Sequence, residues 1–61
     1  MKRRALLEHL RGQNCEFLRE ASRHTVYVNR EAQSSSTVPR HTEIPDKLTT
    51  KICKDLGVPP L

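Results

Sequence analysis

The chain has 61 residues, with 11 Lys or Arg against 7 Asp or Glu, a formal charge of +4 at pH 7 and an isoelectric point near 9.6. A chain this short makes a single domain over 1–61 and buries only about 60% of its unfolded surface, so it has no second lobe. One Phe, one Tyr and no Trp exclude a base-stacking platform, no stretch approaches membrane-spanning length, and the basic charge points to an anionic partner, nucleic acid first.

Residues Lys2 to Gly12 read as a first helix. Ala5, Leu6, Leu7 and Leu10 make its apolar face, with Glu8, His9 and Arg11 opposite, His9 being solvated there. Gly12 suits the C-cap, where a left-handed turn is needed. Lys2, Arg3 and Arg4 occupy the first turn, where cations oppose the helix dipole at about 0.3–1 kcal/mol each; phosphate contact is one use for them. They resemble the start of a signal peptide, but Glu8, His9 and Arg11 break the apolar run that would have to follow.

Gln13-Asn14 is a turn and Cys15 to Glu20 a first strand, carrying Phe17 and Leu18. Ala21-Ser22 interrupts it, and Arg23 to Asn29 returns as a second strand in an antiparallel hairpin. Here Val26 and Val28 alternate with Thr25, Tyr27 and Asn29, a period of two that marks a half-buried strand. The valines are assigned to the core and Tyr27 to the outer face. Arg30 to Ser36 reads as a polar loop. Thr37-Val38-Pro39 is a short third strand, confined to an edge or ended by Pro39, which has no amide to donate.

Arg40 to Glu43 connects to the last element. Pro45 suits the first helical position, and Ile44, Leu48, Ile52 and Leu56 recur every four residues. The helix ends at Gly57, with Val58 set to touch Ile52 or Cys53 in a Schellman cap, and Pro59-Pro60 prevents continuation. The order helix, three antiparallel strands, helix, with both helices on one face of the sheet, is a small two-layer α+β domain.

Cys15 and Cys53 show no C-x-x-C spacing, and a secreted mini-protein of this size carries more cysteines. They are expected to be reduced and packed as small apolar groups in a cytoplasmic protein. No ligand pair has the close spacing of a zinc site, so no metal or other cofactor is expected. Walker, Rossmann and Ser-His-Asp signatures are absent.

The stretches K-R-R-A-L-L-E-H-L, C-E-F-L-R-E, H-T-V-Y-V-N, T-V-P-R-H and K-I-C-K-D-L-G-V together resemble the HicA toxins of prokaryotic toxin–antitoxin pairs. The match runs nearly the whole chain in the family's order, although no single motif is decisive. It implies a double-stranded-RNA-binding-like fold and mRNA interferase activity, the endonucleolytic cleavage of mRNA that inhibits translation. It also implies a HicB-like antitoxin that covers the essential histidine, and oligomers formed through that antitoxin. The family's histidine opens the second strand, and His24 holds that place. The glycines that usually precede it are replaced by Ala21, Ser22 and Arg23, which puts a glycine-dependent turn in question.

RNA carries its own nucleophile, the 2′-hydroxyl, so cleavage needs a base, an acid and cations for the phosphorane charge. A histidine whose unperturbed pKa is about 6.5 suits the proton work, and Arg23 suits charge stabilisation. On composition alone a lone strand histidine is more often structural or simply exposed; the resemblance is what makes His24 the expected catalytic residue. It shares strand parity with Val26 and Val28, so a core position for them threatens to bury it, while its place first in the strand offers an escape to solvent at the sheet's end. His41 is the candidate second proton carrier, set against a capping or packing role. Arg3, Arg4, Arg23, Arg40, Lys47 and Lys51 are the expected RNA-binding cations, with Lys2 and Lys54 beside them, against the alternative of solvated surfaces. The competing functions are a non-catalytic RNA-binding module acting by occupancy and a small protein that completes a partner complex.

Overall fold

The computed structural model describes residues 1–61. Helix α1 spans Arg3–Gly12, strands β1, β2 and β3 span Glu16–Ala21, His24–Asn29 and Ser34–Pro39, and helix α2 spans Asp46–Asp55. The three strands form an antiparallel sheet in the order β1-β2-β3, so β2 is central. Leu6 and Leu10 of α1 join Ile52, Cys53 and Leu56 at the α2 end of one buried cluster that also takes in Tyr27 and Val38 from the sheet. One cluster fed by both helices and the sheet makes this the expected small α+β fold. No helix is long and apolar enough to cross a membrane.

Both helices end in the same way. At the end of α2, Gly57 takes φ +69°, Val58 N–H donates to Cys53 O at 3.0 Å and Gly57 N–H to Lys54 O at 3.1 Å, which is the expected Schellman cap. At the end of α1 the same pair of bonds runs from Cys15 to Leu10 O (2.9 Å) and from Asn14 to Arg11 O (3.1 Å). The left-handed residue there is Asn14, φ +67°, and Gly12 is simply the last helical residue. Asparagine tolerates that conformation better than most side chains, so the glycine was not needed. At the other end of α2, Pro45 is the N-cap rather than the first helical residue.

The faces of β2 are the reverse of those expected. Thr25, Tyr27 and Asn29 point toward the helices: Thr25 bonds Arg3 of α1, Tyr27 belongs to the core cluster, and Asn29 Nδ2 donates to Leu56 O at 2.8 Å. Val26, though only 8% exposed, is outside that cluster and sits between its cross-strand neighbours Arg19 and Thr37. Alternation fixes which residues share a face but not which face meets the helices. Tyrosine offers more apolar area than valine, and Asn29 satisfies one of the carbonyls left open at the end of a helix.

Strand β3 is also longer than expected, because Ser34, Ser35 and Ser36 pair with Asn29, Val28 and Tyr27. Backbone hydrogen bonding to β2 holds these serines in the sheet despite their polar side chains. Pro39 ends this edge strand, as anticipated. In α1, Leu6 and Leu10 are fully buried, but Ala5 is exposed and Leu7 only packs against the edge of the core. His9 is not free in solvent; its Nε2 lies 2.7 Å from Pro59 O, tying the C-terminal segment to α1.

Cys15 and Cys53 are both buried free thiols. Burial raises the pKa of each, and the neighbouring Cys53 raises that of Cys15 further.

Candidate nucleic-acid interface

The β1–β2 hairpin turns in two residues, Ser22 and Arg23, between the paired Ala21 and His24. Arg23 takes φ +64°, the left-handed conformation for which glycine is favoured. The turn thus has the geometry a glycine would give, built from an arginine, and it holds a cation beside His24.

His24 is exposed at the start of β2. Its neighbour Thr25 faces α1, so strand alternation puts the imidazole on the face away from the helices. Being on the same face as Val26 and Val28 does not bury it, because those valines are outside the helix-covered core. Its Nδ1 lies 3.1 Å from Ser22 O. A carbonyl only accepts, so Nδ1 carries the proton and Nε2 keeps its lone pair free in the neutral ring.

A hydrogen-bonded chain braces the hairpin from behind. Arg3 donates through Nε to Pro39 O (2.9 Å) and through Nη2 to Thr25 Oγ1 (2.9 Å). Thr25 Oγ1 donates in turn to Glu20 Oε1 at 2.9 Å. Arg40 Nη2 donates to the same oxygen at 2.9 Å and to Ala21 O at 3.1 Å. Ala21 and Pro39 are the two residues paired with His24. Arg3, Thr25, Glu20 and Arg40 thus fix both flanks of the histidine.

On the α1 side of this chain lies an open cleft of about 800 Å³. Lys2, Arg3, Arg4, Arg11 and Arg40 supply its cations, Glu8 its one carboxylate and Leu7 its one apolar side chain, with Thr42 completing the wall. Arg4, Leu7, Glu8 and Arg11 follow helical spacing along one side of α1. Lys2 is paired with Glu43 at 2.7 Å and Arg40 with Glu20, whereas neither Arg4 nor Arg11 is paired with a carboxylate.

The residues expected from the sequence therefore divide. Arg3, Arg4 and Arg40 meet at the cleft, and Arg23 stands beside His24. His24 is at the same end of the sheet as Arg40 but does not line the cleft. Lys47 and Lys51 lie on α2, outside the cleft, and Lys51 is bound to Asp55 at 2.8 Å. His41 is exposed in the segment after β3, so a core-packing role does not apply to it. Arg3 is half-buried and bonded to the protein's own groups, which makes it a brace between α1 and the sheet.

Thr25, Glu20 and Arg11 were missed by the sequence reading. Arg11 was legible from its seven-residue spacing to Arg4. Thr25 and Glu20 gave no local signal, since their partners are distant in the chain. No group of three His, Cys, Asp or Glu side chains is placed to share a metal ion. No family model, curated protein or solved structure matches the chain.

Proposed function

We propose that this chain is a cytoplasmic endoribonuclease that cleaves mRNA and arrests translation, the toxin of a HicA/HicB-type pair held inactive by an antitoxin over His24. The observation that carries the reading is the exposed His24, its Nδ1 anchored to Ser22 O and its Nε2 free, at the cationic end of the sheet. The resemblance of several stretches to HicA toxins and the basic charge add to it.

In this reading His24 Nε2 takes the proton of a ribose 2′-hydroxyl. The 2′-oxygen attacks the adjacent phosphorus and the bond to the 5′-oxygen breaks, with a proton supplied by solvent or by His41. Arg23 is the nearest cation in sequence to the charge that develops on the phosphorane oxygens. The products are a 2′,3′-cyclic phosphate and a 5′-hydroxyl. The Ser22 carbonyl, accepting from Nδ1–H, fixes the tautomer that leaves Nε2 free to act.

The test is induction of wild-type protein and His24→Ala, with transcript ends mapped and growth followed. Wild type is expected to cleave and arrest growth, and His24→Ala to lose both while retaining its circular dichroism spectrum. Equal cleavage by the variant, or products with 3′-hydroxyl and 5′-phosphate ends, would reject this chemistry. One observation favours a second reading, RNA binding by occupancy alone: the cationic cleft does not include His24. Arrest by both proteins without cut transcripts would select it.

A further inference from the structure

The cleft beside α1 is lined mostly by charged side chains, and its shape restricts what it can take. Five cationic side chains face one carboxylate across about 800 Å³ of open space, more room than a single phosphate needs. Only Arg4 and Arg11 among those cations lack a protein partner, so their charge is free for a ligand. They stand seven residues apart on one side of α1, about 10 Å along its axis. The first turn of α1 contains no acidic residue and its N-cap makes no side-chain cap bond, so the helix dipole adds to the positive field there.

We infer that this cleft is a track for single-stranded RNA, held by its phosphates with little regard to base sequence, running from Arg11 and Arg4 to Arg40 at the His24 hairpin. This rests on the RNA reading above but not on cleavage. A concave groove on a molecule only 27 × 25 × 16 Å across suits a single strand better than the outer surface of a duplex. The lining contains no aromatic side chain, so stacking cannot read the bases, and backbone contacts dominate. Arg40 links the two places, because it lines the cleft and also donates to Ala21 O, in the residue opposite His24. The strand would have to round the hairpin end to reach the imidazole on the far face.

The experiment uses the full chain carrying His24→Ala, so that RNA stays intact, and measures binding of a labelled single-stranded RNA by fluorescence anisotropy across a salt series. Arg4→Gln with Arg11→Gln is compared with Lys47→Gln with Lys51→Gln on α2. Each phosphate contact on a single strand contributes about 0.7 to the salt slope. The cleft pair is therefore expected to lower the slope by about 1.4 and to weaken binding on the order of 20-fold at 0.1 M salt. The α2 pair is expected to change affinity far less. Circular dichroism checks that each variant is folded, as expected when neither Arg4 nor Arg11 holds another protein group.

Equal losses from both pairs, or none from the cleft pair, would overturn the track while leaving a cleaving wild type intact. Preference for duplex RNA would overturn the single-strand assignment. Failure of the His24→Ala protein to bind any RNA would overturn the track and the RNA reading together. Cleft-dependent binding by a wild type that cuts nothing would support the track and remove the nuclease.

Discussion

Thr25 is 3% exposed, yet its hydroxyl stands between Arg3 and Glu20 and bonds both. That single oxygen joins the start of α1 to the hairpin that carries His24. Thr25→Val keeps the shape and removes the oxygen, leaving Arg3 Nη2 without its acceptor. Loss of a partner from a buried or half-buried polar group costs about 1–3 kcal/mol, so the urea midpoint should fall by that equivalent; an unchanged midpoint would refute the bracing role. Arg23 presents the opposite situation, since its φ of +64° carries a backbone penalty of about 1–2 kcal/mol for a residue with a side chain. Part of the gain from Arg23→Gly is offset by the greater freedom of glycine in the unfolded chain. A net rise of about 0.5–1 kcal/mol is expected, read from a higher midpoint at unchanged m-value. A fall would mean that the arginine side chain does more for the hairpin than its conformation costs.

The elements depend on their ends as much as on their faces. Helices of ten residues are marginal in isolation, and both here are closed by a paired Schellman cap whose following residue, Cys15 or Val58, enters the core. At Gly57 a built Cβ would lie 3.5 Å from Ala32 Cβ, an ordinary contact, so backbone strain at φ +69° is the main cost of a side chain. Gly57→Ala should lose about 1–2 kcal/mol. In a domain of this size each kcal/mol lowers Tm by about 4–8 °C; a thermal melt with Tm unmoved would show that the cap can relax. Strand β1 stands apart from the rest, with Glu16 through Glu20 all exposed and a register shift between Phe17 and Arg19. Phe17 is 54% exposed but its ring meets Tyr27 edge-on, with centroids 6.4 Å apart. It thereby shields the one aromatic residue of the core.

Over the whole molecule, the start of the chain is stitched to the segment before α2. Arg3 N–H donates to Thr42 O and Ile44 N–H to Met1 O, each at 2.8 Å, with the Lys2–Glu43 ion pair alongside. The hydrogen bond from Lys2 holds the Glu43 carboxyl below its usual range, and that from Lys51 does the same for Asp55 at the end of α2. A carboxylate whose pKa is lower in the folded state contributes stability above its unfolded pKa and loses it as pH falls through the folded value. The contribution of these two carboxylates should therefore be fully present above about pH 5 and be lost progressively below about pH 4. The decline should be modest because Glu43 is exposed and Asp55 only half-buried, so solvent screens both. Melts of Glu43→Gln with Asp55→Asn should show a weaker acid dependence; an identical dependence would assign the proton uptake to other carboxylates.

The order of elements was legible because it depends on local rules: the four-residue stripe from Ile44 to Leu56, the stop at Gly57, and the alternation through Thr25 to Asn29 act within a few residues. The exposed position of His24 was only half legible: its place first in the strand offered a way to solvent, but alternation divides a strand into two faces without saying which one the helices cover. That choice was made by Arg3 reaching Thr25 across 22 residues of chain and by Asn29 reaching Leu56 O across 27. The serines of β3 joined the sheet for a similar reason, since β2 supplied backbone partners that their own side chains do not suggest. The cleft likewise exists only once α1 and Arg40 have been brought together.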